Sequence, residues 1–366
     1  MFDRRLIQNF DWLLLMLLGF TVALGILNLY SSTSGWNLSG TPIYIKQIYW
    51  LLLGLTLAGV LTLFDYRHLQ HISPFAYGGC LLLLASVLLF GRTSMGATRW
   101  INLGFFNLQP SEIMKPVLIL MLANYFSEHE TPGGFSLRQL MAPGLLLGLP
   151  VVLVLKQPDL GTALLLLFIG GTMALFAGIR KAALATLALL GGATAILGWF
   201  YLLYDYQKQR IYTFLNPEQD PLGSGYHIIQ SKIAVGSGGF WGKGFMQGTQ
   251  SQLSFLPERH TDFAFSVFAE EWGLVGCLIL LTLYLLIIVR GILIAHKADS
   301  PFGMYLAIGV TAMLFWHILV NLGMVIGLLP VVGVPLPLFS YGGTCMVTTM
   351  VGIGLLFNIS MRRFMF

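Results

Sequence analysis

The sequence predicts an all-α polytopic membrane protein with ten transmembrane helices and one long extracytoplasmic loop. Three observations carry this reading. Of the 366 residues, 56% are apolar and only 10% are charged, whereas a soluble domain carries roughly 25% charged residues. The apolar residues fall in runs of roughly the 20 residues needed to cross a bilayer. A single long polar segment, about 205–262, interrupts them. One membrane domain, 1–366, accounts for the whole length.

Arg4 and Arg5 precede an apolar run at about 11–31 with no small-residue cleavage site. That run reads as a first span and not as a removed signal. Further runs lie at about 44–64 and 72–91. Between 111 and 178 three more fit, about 111–127, 139–156 and 159–178, the first of them short and charged. The remaining spans are about 182–204, 263–289, 302–326 and 341–361.

Charge sets the orientation. With the N-terminus in the cytoplasm, the inner segments hold Arg4, Arg5, Arg67, Arg138, Arg180, Lys181, Arg290, Lys297, Arg362 and Arg363. The short outer segments hold only Lys46, Arg92, Arg99, Lys115 and Lys156. Basic residues favour the cytoplasmic side, so both termini are expected inside and the long loop outside. The net charge of +5 is spread singly or in pairs beside apolar runs, which excludes the continuous basic surface of a nucleic-acid binder. Cys80, Cys277 and Cys345 lie in apolar segments and read as small buried hydrophobes. The sequence has no P-loop, dinucleotide fingerprint or His/Cys metal motif, which argues against an ATP-driven pump and a dinucleotide enzyme.

The long loop is rich in glycine and aromatic residues, unlike a disordered linker. Within it, Tyr226 to Val235 mixes apolar and polar residues at helical spacing, so an amphipathic helix on the outer membrane face is expected there. The loop ends at Asp262, where water meets hydrocarbon. Ionisable groups so placed are costly and usually functional. Transfer of a sugar to another sugar's hydroxyl needs a base near the acceptor oxygen. It also needs the leaving pyrophosphate neutralised by cations or a metal ion. Arg259, and more remotely Lys243, Lys232 and Arg210, are candidate cations. The competing account, that Asp262 only caps the next helix, stands level with it on spacing alone.

Four other groups stand out. Glu112 and Lys115 are three apart and share a helix face, in a helix that Pro110 and Ser111 would start. A lone lysine in a span costs roughly 2.5–3.5 kcal/mol, and a glutamate partner lowers that. The pair is either a structural tie or the lining of a polar cavity. In Lys156-Gln157-Pro158-Asp159, a helix-ending lysine and a helix-starting aspartate suit both macrodipoles, which leaves Gln157 unexplained. Gly327 to Thr344 carries three prolines in an apolar setting, so it is expected as a re-entrant loop packed in protein. Ser340 and Tyr341 then open the last helix, facing the cavity. His317 and Asn321 are four apart, which suits interhelical hydrogen bonding.

The stretches GATRWINLGFFNLQPSEIMK, KQPDLGTA, RIYTFLNPEQDPLGSGYHIIQSKIAVGSGGFWGKG, QSQLSFLPERHTDFAFSVFAEEWG and PLPLFSYGGT run in order from Gly96 to Thr344. In them the chain resembles the SEDS family (shape, elongation, division and sporulation), over nearly its whole length. The HTDF form at His260 to Phe263 is more similar to the rod-shape branch than to the division branch. The resemblance implies a peptidoglycan glycosyltransferase of the bacterial inner membrane that polymerises lipid II for elongation and rod shape. The family's essential carboxylate falls on Asp262 and its charged pair on Glu112 and Lys115. Gln157, Asp159, Arg210, Lys243, Arg259, His260, Ser340 and Tyr341 are the further cavity candidates. The resemblance also implies a class B penicillin-binding protein and other elongation-complex membrane proteins as partners. It implies a divalent cation too, Mg2+ or Mn2+, for which the sequence shows no ligand set. Two rival readings are a lipid II flippase, which polar spans and a broken helix also suit, and a non-catalytic scaffold for the penicillin-binding protein.

Overall fold

The computed structural model describes residues 9–34, 41–94, 97–102, 104, 107–201, 205–219, 224–252, 255–256 and 258–363. Arg4, Arg5 and Gly96, named above, lie outside the described residues. The chain begins with three helices, α1 (Trp12–Thr33), α2 (Ile43–Leu63) and α3 (His68–Phe90). A small antiparallel sheet follows, β1 (Arg92–Ser94), β2 (Ala97–Asn102) and β3 (Asn107–Leu108). Next come α4 (Pro110–Glu128), α5 (Met141–Lys156), α6 (Leu160–Ala177) and α7 (Lys181–Tyr201). The polar loop carries α8 (Asp205–Leu215), α9 (Ser224–Ser237) and α10 (Thr249–Gln252). The chain then runs through α11 (Ala264–His296), α12 (Pro301–Val325) and α13 (Gly343–Arg362).

Eight of the described helices are long and apolar enough to cross a membrane: α1, α2, α3, α6, α7, α11, α12 and α13. Helix α5 is apolar but only 16 residues long. Helix α4 has 19 residues but carries Glu112, Lys115 and Glu128. The fold is helical as expected, and the helices are accompanied by a small sheet. Its longest strand has six residues, too short to leave a clear alternation between strongly apolar neighbours.

Small residues set the helix spacing. A Cβ on Gly354 would lie 2.7 Å from the Ala58 Cα, and one on Gly54 would lie 2.8 Å from the Met350 Cβ. Helices α2 and α13 therefore meet backbone to backbone, the way spans associate when no water drives them together. Helix α12 runs through the centre. Its Gly309 admits Ile119 of α4, whose side chain would lie 2.4 Å from an added Cβ.

The apolar segment 326–342 is irregular, and its later part, from Val332, is mostly buried, as a re-entrant loop requires. Its carbonyls find donors on the surrounding helices, which is the condition for non-helical backbone at membrane depth. Asn321 Nδ2 donates to Val334 O at 2.7 Å, the Tyr284 hydroxyl to Pro337 O at 2.7 Å, and Gln47 Nε2 to Ser340 O at 3.0 Å.

Helix α11 is broken at Gly273, whose φ of 64° and ψ of −162° only glycine adopts readily. The loop before it repairs the break. Leu274 and Val275 donate to Gly239 O and Phe240 O at 3.0 and 3.2 Å. Glu270 O and Glu271 O accept from the amides of Lys243 and Gly244, both at 3.0 Å. Helix α9 forms where the amphipathic pattern lies, but its buried face meets protein. Ser231 donates to Val325 O at 2.7 Å and lies 2.8 Å from the Ser266 hydroxyl. Ile228 and Ala234 are buried beside it.

Replacing Gly354 with leucine pushes α2 and α13 apart and lowers stability by about 1–3 kcal/mol, read as a depressed thermal midpoint in detergent. Gly19→Ala, where an added Cβ meets nothing within 4 Å, leaves the midpoint within error.

Candidate active site

A cavity of about 740 Å³ opens at the end of the bundle that carries the polar loop. Helix α2 contributes Lys46, Tyr49 and Trp50 to its wall, and the sheet contributes Arg99, Trp100 and Asn107. Gln109 and Glu112 come from the start of α4, and Asp159 and Thr162 from the start of α6. Thr261, Asp262, Gly333 to Pro335 and Tyr341 to Cys345 close it.

Asp262 is half-buried. It does not cap α11. The capping position is Phe263, and no side-chain cap bond forms there. Asp262 is instead held by its backbone, whose oxygen accepts from Asn321 Nδ2 at 3.0 Å. Among the described residues no donor bonds its carboxylate. Gly333, at φ 73°, keeps the space in front of it clear, since an added Cβ would stand 3.4 Å from Oδ2. Burial pushes the Asp262 carboxyl up to about 6, and Glu258 adds to the rise while Arg210 and Arg99 oppose it. Near neutral pH the group is then an anion basic enough to take a proton.

Below the cavity floor a charged triad crosses the bundle. Lys115 Nζ lies 2.7 Å from Glu112 Oε1 and 2.7 Å from His317 Nε2. His317 Nδ1 lies 2.7 Å from Met313 O. That contact assigns the proton to Nδ1 and leaves Nε2 to accept from the ammonium. Lys115 and His317 are buried, and Glu112 alone of the three reaches the cavity.

The donor atoms of Glu112, His317 and Cys345 lie within 4.8 Å of one another. They do not fit the Mg2+ or Mn2+ that the resemblance implies. The Lys115 ammonium already bonds two of them, and hard cations prefer oxygen ligands to a thiol.

Asp159 caps α6, accepting from the Thr162 amide at 3.2 Å and the Thr162 hydroxyl at 2.9 Å. Its carboxylate also lies 3.7 Å from Arg99 Nε, and Arg99 donates to Pro158 O at 2.6 Å. Arg99 is thereby held over the cavity. Lys46 stands exposed at its rim.

Residues 11–364 match the sequence profile of the FtsW, RodA and SpoVE cell cycle proteins. The chain belongs to this family. It is 46% identical over 336 residues to the peptidoglycan glycosyltransferase MrdB of Escherichia coli (strain K12), covering 91% of this chain and 90% of that one. Its fold is similar to a chain of a peptidoglycan synthase complex that coordinates polymerization and crosslinking, with a TM-score of 0.81 and 34% identity. That match covers 97% of this chain and 98% of the other. The rod shape determining protein RodA of Thermus thermophilus is similar too, at a TM-score of 0.71 and 32% identity over 97% of this chain and 98% of that one.

Of the residues that the sequence singles out, Asp262, Glu112, Asp159 and Tyr341 share the cavity wall, with Lys115 directly behind Glu112. Others do not line it. Gln157 donates to Leu84 O at 2.8 Å and ties the α5–α6 turn to α3. The Ser340 hydroxyl accepts from the Leu336 amide at 3.2 Å and shapes the re-entrant loop. Lys243 is committed to Glu270, 2.7 Å away. Arg259 is buried outside the lining. His260 positions Tyr341, whose amide donates to its backbone oxygen at 2.8 Å. Burial pushes the His260 imidazole below its usual range, so it stays neutral there. Arg210, on α8, acts on Asp262 electrostatically. Arg99, Lys46, Trp50 and Gln109 line the cavity without having been site candidates. In the sequence Arg99 and Lys46 enter only as outer-side charges, and an isolated cation inside an aromatic motif was their available signal.

Lys115→Met strands the Glu112 carboxylate in the bundle and destabilises by about 3–5 kcal/mol. Combining it with Glu112→Gln restores most of the loss, as thermal unfolding of the two variants will show.

Proposed function

We infer that this chain, a peptidoglycan glycosyltransferase, joins lipid II units with Asp262 as the general base. The observation that carries the assignment is a half-buried carboxylate facing a cavity that also holds Arg99 and Lys46. Helices α4 and α5 complete ten spans in this reading. Both termini lie in the cytoplasm, and the cavity opens on the outer side of the inner membrane.

The acceptor's sugar hydroxyl gives its proton to the Asp262 carboxylate as its oxygen attacks the donor's anomeric carbon. A new glycosidic bond forms there, and the bond from that carbon to the diphosphate oxygen breaks. The electron pair leaves with the lipid-linked diphosphate, whose charge Arg99 and Lys46 offset. Tyr49, Trp50, Trp100 and Tyr341 offer faces on which sugar rings pack. Glu112, fixed by Lys115, shapes the floor. The proposed partners are a class B penicillin-binding protein and other elongation-complex membrane proteins. Similarity to a chain from a complex that coordinates polymerization with crosslinking supports the first.

Purified chain with its partner and labelled lipid II makes glycan polymer, and Asp262→Asn makes none while still binding the partner. Polymer from the Asp262 variant overturns the base assignment. Lipid II crossing liposomes without polymer favours a flippase, and normal rod shape in cells carrying Asp262→Asn favours a scaffold.

The pH profile is a second test. Polymerisation falls as pH drops through about 6, by about tenfold per unit below it, because the base becomes protonated. Arg99 lowers the Asp262 pKa and Glu258 raises it. Arg99→Gln therefore moves the acid limb to higher pH, and Glu258→Gln moves it to lower pH.

A further inference from the structure

The glycine-rich hairpin of residues 238–247 takes no part in the cavity, yet it is fixed at one level of the bundle. Its backbone is bonded to Leu274 and Val275, just past the break in α11. Residues 274–296 run for about 35 Å at 1.5 Å per residue, which matches a hydrocarbon core of about 30 Å with a small margin. Residues 264–272, before the break, form a separate helical segment. The break and the hairpin bonded to it therefore sit at the outer edge of the hydrocarbon.

A second helix gives the same level. The ring of Phe245 lies parallel to that of Tyr30, 6.5 Å away, and Tyr30 belongs to the last turn of α1. At this height the hairpin turns Phe240 and Trp241 outward, 57% and 78% exposed, with Phe245 and Met246 beside them. Just below, α11 exposes Leu274, Leu278 and Ile279, the flank that faces acyl chains. Lys243 is the hairpin's only charged side chain, and it is drawn back onto Glu270 at 2.7 Å. The tip is therefore apolar, aromatic and uncharged.

We propose that the tip of this hairpin, led by Phe240 and Trp241, inserts into the boundary between headgroups and acyl chains of the outer leaflet. Aromatic side chains favour that zone because the ring is apolar while the indole N–H meets headgroup oxygens. Membrane contact by the loop thus includes residues 240–246, beside α9, one face of which is docked on protein.

The test uses the full chain in nanodiscs, with and without lipids brominated near the headgroup end of the acyl chain. Wild type is compared with Trp241→Phe, so that the difference in tryptophan emission isolates one of the eight tryptophans. The difference signal is expected to fall about twofold or more with the brominated lipid and to change little with aqueous iodide. A Phe240→Trp, Trp241→Phe chain moves the probe by one position and should be quenched in the same way. Quenching by iodide alone, with none by bromolipid, places the hairpin in water and overturns the proposal. Protection from both means that protein covers the tip, a partner or a second copy, and overturns it equally.

Discussion

The site depends on one side-chain amide. Asn321 donates to two backbone oxygens, that of Asp262 at 3.0 Å and that of Val334 at 2.7 Å. It thereby joins the end of the polar loop, the re-entrant loop and the central helix α12 at a single point. Within a low-dielectric bundle an unpaired carbonyl is expensive, so neither loop can drift without exposing one. The carboxylate is thus aimed through its backbone, which leaves both of its oxygens open for chemistry.

The same logic, applied to charges, separates two kinds of acid in this protein. Glu112 and Glu270 are each bonded to a lysine at 2.7 Å, and Asp159 is taken up by capping α6. Those bonds hold structure. Asp262 has charged neighbours that act on it only at a distance, and they pull in opposite directions. Burial then decides the outcome and raises its basicity. Among the described residues no ion pair holds the Asp262 carboxylate, so burial sets its character.

Much of this was legible in the sequence, for a physical reason. Membrane spans must be long and apolar, so most of them show in composition, though only eight described helices meet that demand where ten were expected, and the irregular stretch from Gly327 to Thr344 shows in its prolines. Asp262 was visible because a carboxylate at that boundary needs a reason. What stayed hidden depends on contacts between distant segments. Gln157 reads as a polar cavity residue until Leu84 supplies its partner. Lys243 reads as a free cation until the break at Gly273 brings Glu270 to it. Arg99 shows locally only as an isolated cation in an aromatic stretch, because Pro158 and Asp159, which hold it over the cavity, lie far along the chain.

The pairing of α2 with α13 has a bearing on how the protein is made. Gly54 and Met350 are separated by almost the full chain, so this contact has a high contact order and must form late. Until α13 enters the bilayer, the small-residue face of α2 has only lipid against it. Tyr341 to Cys345, which complete one wall of the cavity, arrive with that same segment. A nascent chain therefore has no finished cavity until α13 is in place.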